Sequence, residues 1–178
     1  MFICDSSDAR RRTRSMSVVV LEPGNICIFM GKRADPAFQL YRHLKEAGRE
    51  VEVFSRMHPD RLEKDFGIPR SCVTWLSNTS GASTIGAQSM GRLTDAIVRM
   101  YERTPSPVVI LEGLEYLMAQ NDFGKVLRML DFVYEVVAMR QGTFLLPLDP
   151  QAFSEKELAY LAREALVVDE DDDVSMPS

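Results

Sequence analysis

The sequence has no apolar run long enough to cross a bilayer, no metal-type spacing of cysteine and histidine, and no Gly-Lys-Ser/Thr phosphate loop. Its longest apolar runs, such as Val108–Leu111 and Phe144–Leu146, fall far short of the roughly 20 residues that a membrane-spanning helix needs. Membrane insertion is therefore not expected. The basic start, with Arg10, Arg11, Arg12 and Arg14, is followed only by the short run Val18–Leu21, so it lacks the apolar middle of a secretory signal. Cys4, Cys27 and Cys72 are odd in number and scattered, which suits reduced thiols in a cytoplasmic protein and predicts no disulfide. Only His43 and His58 could act as an imidazole base, and there is no Gly-x-Ser-x-Gly elbow to carry a nucleophilic serine. Two histidines among dispersed cysteines give no zinc site either. No cofactor and no metal are expected.

The net charge is unevenly spread, with a basic start and an acidic end. The net charge of −5 combines the arginine-rich first 16 residues with the acidic run Asp169–Asp173, and the stretch between is close to neutral. Without a basic stripe the chain has no nucleic-acid footprint. The expected organisation is a disordered basic segment over 1–16, one α/β domain over 17–168, and a disordered acidic tail over 169–178. At 178 residues and 46% hydrophobic content, one well-filled core is what the length allows.

Periodicity orders that core. Val18–Leu21 and Ile26–Met30 flank Pro23-Gly24-Asn25, whose turn chemistry predicts an opening hairpin. Asp35-Pro36 reads as an N-cap with proline at the first helical position, and Ala37, Leu40, Tyr41, Leu44 and Ala47 make one apolar face ending at Gly48. Val51–Phe54, Val73–Leu76, Val108–Leu111, Thr143–Leu148 and Leu166–Val168 read as strands, with Pro147 placed near a strand end or edge. Between them lie helices at Pro59–Phe66, around Met90–Tyr101, after Gly113, and through Phe123, Val126, Leu130, Val133 and Val137. Ser154-Glu155-Lys156-Glu157 opens the last one as a capping box. Strands alternating with such helices predict a three-layer α/β fold, a mostly parallel sheet covered by helices on both faces.

Several separated motifs in this order resemble one family. They are Ser55-Arg56-Met57-His58-Pro59, Thr74-Trp75-Leu76-Ser77, Leu111-Glu112-Gly113-Leu114-Glu115-Tyr116-Leu117, then Asn121-Asp122-Phe123 and Leu148-Asp149-Pro150. The resemblance is to the archaeal family called domain of unknown function 835, and it covers about Val18 to Val168. It implies a fold like the RecA and KaiC class of P-loop ATPase cores, in a domain often attached to sensory or membrane segments, and it carries no known activity.

A working phosphate loop needs several glycine amides, a lysine and a Ser or Thr hydroxyl for magnesium. The loop Gly31-Lys32-Arg33-Ala34-Asp35-Pro36 has one glycine, an acidic residue and a proline at the helix start instead. Gly86-Ala87-Gln88-Ser89-Met90-Gly91-Arg92-Leu93 has the glycine spacing but Arg for Lys and Leu for the hydroxyl. The carboxylates offer a different candidate. Glu112 and Asp149 each follow an apolar strand, so Glu112, Glu115 and Asp149 can meet where open α/β sheets bind ligands, or can simply cap helix starts and turn amides. Arg56 emerges at the same edge and is expected to pair with Glu112 in the place of a metal, as a structural latch. No catalytic residue is assigned. The expected function is a non-catalytic interaction or signalling module with a protein partner; a magnesium- or nucleotide-dependent enzyme using those carboxylates, and a self-assembling ring or filament subunit, are the alternatives.

Overall fold

The computed structural model describes residues 18–169 and 172–175. The described residues form nine strands and six α-helices: β1 (Val18–Val20), β2 (Ile26–Met30), α1 (Asp35–Glu46), β3 (Val51–Ser55), α2 (Pro59–Phe66), β4 (Val73–Leu76), β5 (Thr84–Ile85), α3 (Met90–Arg103), β6 (Val108–Leu111), α4 (Leu114–Gln120), α5 (Phe123–Arg140), β7 (Thr143–Leu148), α6 (Glu155–Leu161), β8 (Leu166–Asp169) and β9 (Asp173–Ser175). Seven strands form one sheet in the order β5-β4-β3-β6-β7-β2-β8, and every pairing in it is parallel.

Strand residues alternate between two cores, as a pleat of period two requires. Ile26, Ile28, Val109, Leu111, Phe144 and Leu146 face α3, α4, α5 and α6. Cys27, Phe29, Val108, Ile110 and Leu145 face α1 and α2. The expected three layers follow directly. Leu130 of α5 and Leu44 of α1 are wholly buried, one in each helical layer.

The opening hairpin does not form. β2 lies between β7 and β8, while β1 pairs in parallel with β9 in a separate two-stranded sheet. Glu22 through Asn25 still make a turn, with Asn25 N–H donating to the Glu22 carbonyl, but the turn only redirects the chain. A local turn signal says nothing about which strand will be the neighbour. The acidic tail is likewise different from expectation, since Asp169 closes β8 and Asp173 opens β9. The basic segment 1–16 lies outside the described residues.

Pro147 sits in a central strand, near its end. Thr143 N–H donates towards β6, to Pro107, and Phe144 N–H towards β2, to Asn25, so alternation aims residue 147 at β6. The β6 ladder stops at Ile110 opposite Leu145, and the donor that proline lacks would have pointed past it.

Two places on the carboxyl edge of the sheet are set apart by topology. Adjacent strands β3 and β6 lead into α2 and α4, which cover opposite faces, and adjacent β2 and β7 lead into α1 and α6, which do the same. Chains that leave in opposite directions open a crevice between them.

Candidate functional site

The first crevice, between β3 and β6, is closed by Glu112. Gly113 holds φ at +101°, which turns the chain sharply out of β6 and leaves the Glu112 side chain beside the end of β3. Its Oε2 accepts from the Ser55 hydroxyl at 2.5 Å, from Arg56 N–H at 2.8 Å and from Met57 N–H at 3.2 Å. Ser55 is fully buried and its Oγ also accepts from Met57 N–H at 2.9 Å. This is an anion nest of backbone amides filled by the protein's own carboxylate.

Arg56 meets Glu112, but through its backbone. The guanidinium turns away, donating to the Leu76 carbonyl at 3.1 Å and lying 4.7 Å from the centre of the Tyr116 ring. The side-chain pairing expected between Arg56 and Glu112 is thus not what joins them. The main chain already supplies the donors, and an arginine whose own amide is bound to the carboxylate starts with its side chain aimed elsewhere. Trp75 Nε1 donates to the Arg56 carbonyl at 3.1 Å, and the Trp75 ring packs edge-on against His58 with centroids 4.8 Å apart. His58 itself caps α2, its Nδ1 accepting from Asp60 N–H at 3.2 Å.

The end of β7 is held in a different way. Glu115, in the first turn of α4, accepts from Asp149 N–H at 2.6 Å, which ties α4 to the end of β7. Asp149 turns its own carboxylate forward to Gln151 N–H at 2.9 Å and caps the short 3-10 turn Pro150–Ala152. Burial raises the Glu115 carboxyl above the usual range; the Asp149 and Glu115 amides work against this, and the Glu112 and Asp149 charges add to it.

The loop after β2 stays close to the sheet, with Gly31 N–H donating to the Leu148 carbonyl at 3.0 Å. Asp35 is the first residue of α1 and Pro36 the second, with Ala34 at the cap position, one residue from the expected boundary. Arg33 pairs with Asp35 at 2.5 Å, so the negative charge at this helix start comes from the chain itself.

All four candidates therefore gather at one edge, as two linked pairs: Arg56 with Glu112, and Glu115 with Asp149. Sequence reading missed Ser55 and the Met57 amide. The signal was present, since Ser55 is a polar residue that follows the apolar pair Val53-Phe54 at a strand end, where a buried hydroxyl needs a partner.

A search of curated proteins gives no match. Among solved structures the fold is similar to that of a KaiC-like protein from the hyperthermophilic archaeon Pyrococcus horikoshii, with a TM-score of 0.59 and 12% identity over 83% of this chain and 73% of that one. At that identity the likeness shows a shared fold. The family described as "Protein of unknown function (DUF835)" matches residues 30–165, from the end of β2 to the start of β8 and across both crevices, and the chain belongs to that family.

Proposed function

We propose that the chain is a non-catalytic interaction or regulatory module, built on a KaiC-like fold whose catalytic edge serves to hold the structure together. The observation that carries this reading is the environment of Glu112. One oxygen of that carboxylate takes three donors from β3 and the turn after it, so coordinating magnesium there requires breaking a set of charge-assisted hydrogen bonds and stranding a buried serine. The loop after β2 supports the same reading: it offers one glycine, a proline without an amide, and an Arg33–Asp35 pair where phosphate oxygens would need donors.

The competing reading is a magnesium- or nucleotide-dependent enzyme that uses Glu112, Glu115 and Asp149. It needs Glu112 to be released and Glu115 to ionise against its burial. Hydrolysis of ATP and GTP by the purified chain separates the two. Phosphate release is expected to equal that of a mock preparation, whereas turnover that disappears in Glu112→Gln overturns the proposal. A protein as the partner and the cytoplasm as the setting belong to the same proposal.

A further inference from the structure

A polar cleft of about 380 Å³ lies beyond the carboxyl ends of β4 and β5, separate from both crevices. We propose that it binds a small phosphate-bearing anion. Its size falls within the range of small-molecule sites, and its position is at the edge where open α/β sheets take ligands.

The walls are set by hydrogen bonds inside the loop. Ser77 is buried, and its Oγ accepts from Thr79 N–H at 3.2 Å while lying 3.0 Å from the Thr79 hydroxyl. The Thr84 hydroxyl reaches the Thr79 and Gly81 carbonyls at 3.1 and 2.8 Å, which ties the far side of the loop to its start. These contacts occupy Ser77, Thr79 and Thr84. They leave the Asn78 amide, the Ser80 hydroxyl and the Arg92 guanidinium around the cleft with no hydrogen bond or ion pair to any described residue.

The charge of the cleft is as informative as its shape. Arg92 is its single ionisable residue and no carboxylate lines it, in a chain whose net charge is −5. Elsewhere arginines of this protein find carboxylates readily, as Arg61, Arg70 and Arg103 do. A lone guanidinium among hydroxyl and amide groups matches a phosphate, which takes two N–H donors from the fork and accepts from the neighbours. A neutral apolar ligand has little to bury there.

The test uses the full chain, titrated with inorganic phosphate against chloride at constant ionic strength and read by melting temperature and calorimetry. Saturable stabilisation is expected. Arg92→Gln should weaken binding by about tenfold or more while leaving the ligand-free melting curve unchanged, because Arg92 is exposed and unpaired. Arg92→Lys should recover part of the affinity, keeping the charge and losing the fork. Arg33→Gln, in another cation-bearing loop of this edge, should bind as the wild type does. A nucleoside monophosphate as second probe separates the sources: tighter binding than phosphate marks an organic ester as the ligand, equal binding the free anion. The proposal is overturned by the absence of a saturable response, by a response that survives in Arg92→Gln, or by one that disappears in Arg33→Gln.

Discussion

Two carboxylates three residues apart, Glu112 and Glu115, sit at the carboxyl edge of the sheet and are held by different means. Glu112 is surrounded by donors that all converge on one oxygen. Glu115 has backbone donors at Asp149 and at its own amide, but burial outweighs them and two other acids add to it, so its affinity for a proton rises. Closeness in sequence and in space does not make two acids alike. The donors that each one reaches decide whether it acts as a fixed anion or as a group inclined to hold its proton.

The strongest way to break this comparison is to remove the first carboxylate. Glu112→Ala leaves the Ser55 hydroxyl and the Arg56 and Met57 amides without their shared acceptor, and should cost roughly 3–5 kcal/mol in urea unfolding. Glu112→Gln keeps an oxygen in reach and should cost only about 1–2 kcal/mol. A cost below about 1 kcal/mol for the alanine variant would show that the nest is satisfied by water.

Gly113 probes the same crevice through the backbone. A Cβ there meets the Arg56 Cβ at 2.9 Å, and φ of +101° is a conformation that side chains rarely adopt. Gly113→Ala is expected to destabilise by about 2 kcal/mol, measured by the same unfolding curves.

A smaller effect sharpens the role of Arg56. Its guanidinium makes one carbonyl hydrogen bond and one ring contact at an exposed position, so Arg56→Ala should cost about 1 kcal/mol. Since that side chain does not touch Glu112, the double variant with Glu112→Gln should be additive within about 0.5 kcal/mol. Strong coupling would restore the side-chain latch.

The mildest change is at Glu115, and it depends on pH. With its folded pKa above the unfolded one, the native state holds a proton that the unfolded state has lost, so stability falls as pH rises from the unfolded pKa through the folded one. Glu115→Gln can still accept from Asp149 N–H and removes that decline. It should be at least as stable as the wild type at neutral pH and show a flatter stability profile above the ordinary carboxylate range. An unchanged profile would mean that the burial of Glu115 is relieved in solution.

Much of the fold is legible in the residue order because the signals are local and repeated. Ser154 through Glu157 mark a helix start by hydrogen bonds within a few residues, and that capping box forms. The continuous apolar run Val108–Leu111 announces a strand covered on both faces, and β6 is buried throughout. The hairpin expectation failed for the opposite reason: Pro23-Gly24-Asn25 encodes a turn, but the partners of β2 are β7 and β8, more than a hundred residues further on.

The sequence by itself determined the alternation of strands and helices, the loss of the phosphate-loop residues, and the arrival of Arg56, Glu112 and Asp149 just after strands, with Glu115 in the helix turn that follows Glu112, since these follow from short-range periodicity and residue type. Only the tertiary structure decided which donor each of them meets. The Glu112 carboxylate binds amides more than fifty residues away in the chain, and the Arg56 side chain goes to Leu76 and Tyr116, because strand order and the turn at Gly113 set those distances. Hydrogen bonds are short-ranged and directional, so no pattern along the chain specifies them until the sheet has placed its neighbours.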